Sequence, residues 1–341
     1  MPRISLGQSD VPRDTLLPKL NPTKAVSGFE KPPKHPDDNP VTFSKIALGR
    51  QLFFDPILST NDQVACATCH RPEHGLASKE PVAIGIKGRK GTRNAPSILN
   101  AAYAKSLTWD GRDADLEAQV LGPLTNENEL GNDLDAIIKK LKSDPNYPEL
   151  FAKAFEVKPE TAVTVDHLAK AIASFERVLI SGNNGVDRFR RKDYSALSQE
   201  ARSGMWLFES RGGCWKCHNG PNLSDEHFHN TGVSFGSTER DRGRMLITNV
   251  DSHAFQFRTP PLRNVAQTAP YMHDGSIGTL REVVEFYNRG GAPDDPQLDK
   301  KLKPLGLTEE EVGFLVAFLE ALSGDPVTIA EPESTDERPQ R

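Results

Sequence analysis

The chain has 341 residues, of which 36% are hydrophobic, and its formal net charge is −5. This length is typical of two domains. The mild negative charge gives no support for nucleic-acid binding, and no apolar run approaches the length of a membrane span. We therefore expect a protein with no nucleic-acid partner and no membrane span.

The first part of the chain leads into a short chemical motif. Residues 1–41 are rich in proline and polar groups, which predicts an extended N-terminal arm. A helix is predicted at residues 43–53. The sequence C-x-x-C-H follows at Cys66, Cys69 and His70. This is the attachment signature of a c-type haem, in which both sulfurs bond to the haem and the histidine ligates the iron.

The same motif occurs a second time, at Cys214, Cys217 and His218. The two motifs use all four cysteines of the chain, so two covalently bound haem c groups are predicted. The alternatives are a single four-cysteine zinc site or a pair of redox dithiols. Covalent haem attachment requires an oxidising compartment. We therefore expect a periplasmic protein whose leader is absent from this chain.

Apolar residues at helical spacing predict helices at residues 134–141, 147–155, 165–180, 198–209, 280–287 and 308–322. Strand signals are sparse, which favours a mainly α fold with long loops. Glycine and asparagine at residues 181–185 indicate a domain boundary. We predict two cytochrome-c-like haem domains, at residues 42–182 and 183–324, and a disordered tail at residues 325–341.

The choice of iron ligands distinguishes a catalytic haem from an electron-transfer haem. His70 and His218 are the predicted proximal ligands. No histidine lies between His74 and Trp109, in the segment that should cover the first haem. An iron without a strong sixth ligand can bind a small molecule, so the first haem is the predicted catalytic one.

Candidates for the distal pocket follow in the sequence. A glutamate beside an open iron could move a proton between the two oxygens of a peroxide, and a glutamine could position the peroxide. Glu129 and Gln119 are such residues. Considered alone, Glu129 is one acid among many, and the alternative is a solvated loop residue.

Several segments together resemble the bacterial di-haem cytochrome c peroxidase family, which includes the MauG-type enzymes. The matching segments are the two haem motifs and residues 93–96, 109–112, 122–129, 228–232, 259–265 and 269–275. The resemblance implies an enzyme that reduces hydrogen peroxide at the His70 haem and stores oxidising equivalents over both haems. It also implies a protein electron donor or a protein substrate as partner; the oligomeric state stays open.

The resemblance implies roles for individual residues of the catalytic half. Glu129 falls at the position of the family's catalytic acid–base, and Gln119 at that of its distal glutamine. Trp109 falls at the position of the tryptophan that relays electrons between the haems. The alternative for Trp109 is a core tryptophan, and both descriptions could hold.

Two further metal sites are implied by the same resemblance. Asn94, with the backbone carbonyls of Thr268 and Pro270, matches a calcium site between the domains, and such oxygen-only ligands suit that ion. Tyr287 matches the axial ligand of the second haem, which is methionine in ordinary peroxidases and tyrosine in MauG. Core packing is the alternative for Tyr287, because it shares an apolar stripe with neighbouring residues of its helix.

Two departures from the family pattern bear on the type of enzyme. The histidine that blocks the first haem in many family peroxidases has no counterpart, as in MauG-type members. The tryptophan that precedes the second haem motif in MauG is also missing, since Gly212 and Gly213 stand there. The resemblance therefore does not identify the residue through which electrons pass between the second haem and a partner. An ordinary cytochrome c peroxidase, with a small cytochrome or cupredoxin donor, and a di-haem electron carrier remain alternatives.

Overall fold

The computed structural model describes residues 25–327 and 329, and this part of the chain is mainly helical. The helices of the first half are α1 (Phe43–Phe54), α2 (Cys66–Cys69), α3 (Leu116–Thr125), α4 (Leu134–Ser143), α5 (Tyr147–Phe155), α6 (Pro159–Ala162) and α7 (Val165–Glu176). Those of the second half are α8 (Gly185–Arg190), α9 (Gln199–Glu209), α10 (Met245–Thr248), α11 (Leu280–Asn288) and α12 (Glu309–Glu320). Strands β1 (Phe228–His229) and β2 (Phe257–Arg258) form one short antiparallel pair.

The predicted mainly α class is confirmed, and the predicted helices are present with ends that differ by a few residues. The helix predicted at residues 165–180 ends at Glu176. Helix α3 was not predicted, because Gly122 and Pro123 lie within it. It forms because Asp115 caps its first turn and because Leu116, Val120 and Leu124 are buried along one face.

Each half is built on a close crossing of two helices at a glycine. In the first half α1 crosses α7 at Gly49, where an added Cβ would lie 2.0 Å from the carbonyl oxygen of Ala171. In the second half α9 crosses α12 at Gly204, where a Cβ would lie 1.9 Å from the carbonyl oxygen of Phe314. Only glycine permits this approach of two helix backbones.

A phenylalanine lies one turn beyond each of these glycines and packs towards the haem motif of its own half. Phe53 packs on Phe175 with ring centroids 5.2 Å apart, and Phe208 packs on Phe318 at 4.8 Å. In both halves the ring centroid of this phenylalanine lies 6.5 Å from that of the motif histidine. One apolar cluster draws on residues 48–172 and another on residues 186–322. Separate clusters of this kind are expected when each half is a repeated unit.

The two halves meet through equivalent turns, in which Trp109 and His273 each lie seven residues before the first residue of the following helix, α3 or α11. The backbone N–H of Asn94 donates to the carbonyl of His273 at 2.7 Å, and that of Arg258 donates to the carbonyl of Trp109 at 2.8 Å. The rings of Trp109 and His273 contact edge to face, with centroids 6.4 Å apart. Because the contacts are reciprocal, an approximate two-fold arrangement relates the halves.

A buried ion-pair network reinforces this interface. Arg93 bonds to Asp110 in the first half at 2.6 Å and to Asp241 in the second half, also at 2.6 Å. Although burial opposes ionisation, hydrogen bonds from Arg112 and Arg93 lower the pKa of Asp110 to about 2. Asp110 is therefore charged at neutral pH, and its removal would leave Arg93 incompletely paired.

The described ends of the chain converge on the segment that joins the halves. The N–H of Asn183 donates to the carbonyl of Ser27 at 2.8 Å, and the N–H of Asp325 donates to the carbonyl of Gly182 at 2.9 Å. Phe29 stacks on Tyr103 with centroids 4.1 Å apart. Residues 1–24 of the predicted arm, and residues 328 and 330–341 of the predicted tail, lie outside the described residues. Within the described ranges, no helix is long and apolar enough to span a bilayer.

The helix crossings generate a stability prediction. We expect Gly49→Ala and Gly204→Ala each to lower the free energy of unfolding by about 1–3 kcal/mol, because a methyl group would force two backbones apart. Gly313→Ala, in α12, is the matched control, since its nearest neighbour is an arginine side-chain atom 4.0 Å away. It should be neutral or stabilise the helix by up to about 1 kcal/mol. Denaturant unfolding of the haem-loaded proteins measures this, and equal effects at all three positions would contradict the crossing argument.

Candidate haem sites

The first haem motif presents its histidine in the form that binds iron. His70 follows α2 directly, and its N–H donates to the carbonyl of Cys66 at 2.9 Å. Its Nδ1 lies 3.1 Å from the carbonyl oxygen of Leu76. Because a carbonyl can only accept, Nδ1 carries the proton and Nε2 is left for a metal. Burial lowers the pKa of His70, which favours the neutral imidazole.

The second motif repeats this geometry. The N–H of His218 donates to the carbonyl of Cys214 at 2.9 Å, and its Nδ1 lies 3.0 Å from the carbonyl oxygen of Leu223. Burial again lowers the pKa of the histidine. Burial also raises the pKa of the Cys214 thiol to about 11. Two cysteines and a neutral histidine with a free Nε2 therefore recur in each half, which fits the attachment and ligation of haem c.

The zinc alternative has no support in the described part of the chain. There, one group of side chains is compact enough to hold a metal ion, and it contains a single cysteine: Cys217 with Asp225 and His229. The imidazole of His229 is already bonded to Asp225 at 3.0 Å and to Asp299 at 2.5 Å. Cys66 and Cys214, one from each motif, pack against different apolar clusters, so the two motifs do not converge on a single four-cysteine site.

A cavity opens beside the second motif. It is lined by Cys214, Cys217, His218 and Tyr287 of α11, together with apolar side chains. The structure thus brings Tyr287 and His218 to one cavity. Burial raises the pKa of Tyr287 far above its usual range, with the thiols of Cys217 and Cys214 adding to the effect. A phenolate there requires a strong cation nearby, which a ferric haem iron would supply.

The internal repeat identifies the residue of the first half that corresponds to Tyr287. Helices α3 and α11 begin after Asp115 and Thr279, whose side chains cap them. Pro123 and Tyr287 each lie seven residues beyond the first residue of their helix. Proline has no side-chain atom that can ligate iron. The same scaffold therefore offers a phenol in the second half and no ligand at the equivalent position of the first.

The predicted distal residues lie on α3 and just beyond it. Gln119 and Pro123 are four residues apart and share one face of the helix. Asn126 is the C-terminal capping residue of α3. Its Nδ2 donates to a carboxylate oxygen of Glu129 at 2.7 Å, and its carbonyl accepts from the N–H of Glu129 at 2.9 Å. The N–H of Ile86 donates to the carbonyl of Glu129 at 2.8 Å. The side chain and backbone of Glu129 are therefore both fixed.

The electrostatic setting of Glu129 differs from that of a solvated loop residue. Burial raises the pKa of Glu129, while the Asn126 hydrogen bond and the charge of Arg112 partly oppose this. The charge of Glu129, added to the dominant effect of burial, contributes to raising the pKa of Cys69 and of Cys66. The carboxyl group is thus within electrostatic reach of the first haem motif. Sequence reasoning missed Asn126; its spacing of three residues from Glu129 was the available signal.

Trp109 lies at the contact between the halves and lines the cavity of the second motif. Its indole Nε1 donates to the carbonyl of Asn94 at 2.9 Å. His273, which contacts it edge to face, also stacks on Phe257 with centroids 3.6 Å apart. Burial lowers the pKa of His273 to about 4, so this ring is neutral. The sequence analysis gave no role to His273 or Phe257. The internal repeat, which pairs His273 with Trp109, was a signal that could have identified His273.

The residues of the implied calcium site also come together. Asn94, Thr268 and Pro270 border the same cavity as Trp109. The Nδ2 of Asn94 donates to the carbonyl of Glu80 at 3.0 Å, which leaves its amide oxygen as the group that could bind a cation. The groups that could bind a cation there are the amide oxygen of Asn94 and the backbone carbonyl oxygens of Thr268 and Pro270.

Comparisons with known proteins agree with this geometry. The family described as Di-haem cytochrome c peroxidase matches residues 43–195. Methylamine utilization protein MauG of Methylorubrum extorquens is 38% identical over 299 residues, which cover 88% of this chain and 84% of that protein. Cytochrome c551 peroxidase of Pseudomonas aeruginosa is 34% identical over 302 residues, which cover 86% and 82%.

A solved structure is similar over the same extent. It is described as a MauG-like protein associated with microbial copper homeostasis, with a TM-score of 0.79 and 31% identity. The match covers 86% of this chain and 93% of that one. Because relatives at these identities span most of both chains, the chain belongs to the di-haem cytochrome c peroxidase family and is a MauG-like di-haem peroxidase with two c-type haems.

Proposed function

We propose that the chain reduces hydrogen peroxide at the His70 haem, with Glu129 as acid–base. The two oxidising equivalents are held over both haems until a protein donor or a protein substrate returns two electrons. The observation that carries this division of labour is the pair of equivalent positions Pro123 and Tyr287. One half lacks a side-chain ligand where the other has a phenol, so the two haems are suited to different tasks.

The proton chemistry follows from the surroundings of Glu129. Reduction of hydrogen peroxide to two water molecules consumes two protons and two electrons. Glu129 accepts the proton of one peroxide oxygen and returns it to the oxygen that leaves. Its raised pKa brings it closer to working pH, and the bond from Asn126 holds the carboxylate in one orientation. The Gln119 amide orients the peroxide. When bound, the haems supply the iron that binds peroxide and carries the oxidising equivalents.

The electron path between the halves rests on the aromatic contact at their interface. Trp109 and His273 are in edge-to-face contact, and both line the cavity of the second motif. The backbone of Trp109 is bonded to Arg258 of the other half. These contacts hold the indole beside the second haem site at the contact between the halves, which supports a relay role. We further propose a periplasmic location, because haem c attachment needs an oxidising compartment.

We propose a calcium ion at Asn94 and the carbonyls of Thr268 and Pro270, because hard cations of this size bind oxygen donors. Metal analysis after dialysis against a calcium-free buffer should find about one calcium ion per chain, and Asn94→Ala should lose it. A protein with no bound calcium whose peroxide reaction is insensitive to a chelator would contradict the proposal.

The role of Glu129 is tested by replacement with an amide. Glu129→Gln should keep both haems but slow the reaction with peroxide by about a hundredfold or more, the usual contribution of general acid–base catalysis. Stopped-flow absorption after mixing with peroxide measures the rate. The matched control is Glu127→Gln, two residues away, whose side chain is 79% exposed and paired with Arg89. Equal rates in wild type and Glu129→Gln would mean that the acid–base lies elsewhere.

The pH profile supplies a second readout of the same site. Because proton acceptance requires the carboxylate, the rate should fall as the pH drops through the raised pKa of Glu129. Asn126→Ala removes a bond that lowers this pKa, so the midpoint should move to higher pH. An unchanged midpoint would show that Asn126 does not act on Glu129.

The role of Tyr287 separates the MauG-like enzyme from an ordinary peroxidase. Tyr287→Phe should change the spectrum and potential of the second haem, and Tyr287→Met should raise its potential, because methionine ligation raises the potential of a c-type haem. Redox titration and EPR of the ferric protein measure both. Tyr271→Phe is the matched control, since Tyr271 lines the same cavity but donates to the carbonyl of Val265. If Tyr287→Phe matches wild type, Tyr287 is a core residue.

A further inference from the structure

The turn that follows the first haem motif is bonded to the second half of the chain. This turn, residues 71–77, contains Leu76, whose carbonyl oxygen accepts the Nδ1 proton of His70. It also contains His74, whose Nε2 is bonded to the carbonyl oxygen of Ala269, 195 residues further along the chain. Because a carbonyl only accepts, the Nε2 of His74 carries the proton and donates it. A side chain of this turn is therefore anchored on the other half.

The turn also packs closely on the second-half loop that it is bonded to. An added Cβ at Gly75 would lie 3.0 Å from Cγ2 of Thr268 and 3.2 Å from Cβ of Gln267. From the first half, the Oγ of Ser97 donates to the carbonyl of Gly75 at 2.6 Å. The turn thus has one side-chain anchor from its own half, Ser97, and one that crosses the interface, His74.

The corresponding turn of the second motif is held without help from the first half. The carbonyl of Leu223 accepts from Nδ1 of His218, and the carbonyl of Pro221 accepts from Nε of Arg263 at 2.6 Å. Within the described part of the chain, no hydrogen bond joins residues 219–224 to the first half. Of the two turns that fix a proximal histidine, only the first is tied across the interface.

We propose that His74 is a positioning residue for the first haem. Through its bond to Ala269, the second half holds the turn so that the carbonyl of Leu76 stays against the Nδ1 proton of His70. That hydrogen bond makes the imidazole a stronger donor to the iron. Without the anchor, the turn is freed and the donation weakens. A weaker donor favours ferrous over ferric iron, so the potential of the first haem rises.

The inference deepens the proposed function, because it concerns the haem to which we assign peroxide. Its importance for peroxide reduction rests on that assignment, whereas the effect on the first haem does not. The assembled second half then sets the potential at which the first haem works. A few substitutions at one half-buried side chain test this.

Substitution of His74 separates its hydrogen bond from its bulk. His74→Phe keeps a ring without a donor, His74→Ala removes both, and His74→Gln places an amide N–H near the position of Nε2. The first two should raise the midpoint potential of the first haem. At the wild-type midpoint, the ratio of ferrous to ferric haem should increase about twofold to tenfold, the usual contribution of one hydrogen bond. His74→Gln should stay close to wild type. Redox titration followed by optical and EPR spectra measures this.

The strength of the iron–histidine bond is the second readout. Its stretching frequency in the reduced first haem, measured by resonance Raman spectroscopy, should fall in His74→Phe and recover in His74→Gln. The matched control is His167→Phe. His167 also bonds to a backbone carbonyl, that of Ala162 at 2.7 Å, but within its own half and in the first turn of α7. The control should leave both the frequency and the potential unchanged.

A double-mutant cycle tests whether the two anchors hold the same turn. Ser97→Ala removes the anchor from the first half, after which the turn depends more on His74. The potential shift of His74→Phe/Ser97→Ala should therefore exceed the sum of the two single shifts. Strictly additive shifts would contradict a route through the turn.

The outcomes identify what fails. If His74→Phe and His74→Ala keep the wild-type potential and stretching frequency, or if His74→Gln shifts as much as they do, the proposal fails. Because Ala269 lies between Thr268 and Pro270, calcium is also measured in each variant. If added calcium restores the wild-type potential in His74→Phe, the residue acts on the cation site, which also overturns the proposal. None of these measurements uses peroxide, so a wild type that does not reduce peroxide would contradict the proposed function alone.

Discussion

The closest packing constraint in this protein is the approach of two helix backbones at a glycine, once in each half. Gly49 and Gly204 let α1 and α9 lie directly on the carbonyl groups of α7 and α12. One turn later, Phe53 and Phe208 are held against the histidines of the two haem motifs. The histidines then need only one hydrogen bond each to fix their tautomer. The positions of both metal ligands therefore depend on these crossings.

The two halves share one backbone scaffold, and a few side chains that differ between them suit the halves to different chemistry. Pro123 and Tyr287 occupy equivalent places on α3 and α11, yet only the second can ligate iron. Trp109 and His273 are likewise equivalent, and they meet at the interface as an indole and a neutral imidazole. The asymmetry on which the proposed mechanism relies lies in a few side chains, while the backbone arrangement is shared.

Much of the fold could be predicted from the sequence, because its signals are local. The apolar spacing of α5 gives its bounds without error, and the cysteine spacing identifies both haem motifs. Helix α3 escaped prediction because propensity counts Gly122 and Pro123 against a helix that Asp115 and tertiary packing stabilise. The partner of Glu129 also escaped, since a hydrogen bond from Asn126 depends on side-chain rotamers that spacing alone does not determine.

The contacts between the halves could be predicted least. The hydrogen bonds that join Asn94 to His273 and Arg258 to Trp109 link residues more than 140 positions apart, and neither is encoded by a local pattern. Arg93 gives a similar example, because its pairing with Asp241 requires two loops to meet. Such contacts follow from the assembled fold, and only the internal repeat provides a sequence signal for them.

The segment that joins the halves has a consequence for the motions available to the enzyme. Residues 182 and 183 are bonded on one side to Ser27 and on the other to Asp325, so three stretches of chain are tied at one place. A connector held in this way cannot act as a free hinge without breaking those bonds. We therefore expect the two haem sites to keep a constant separation during turnover.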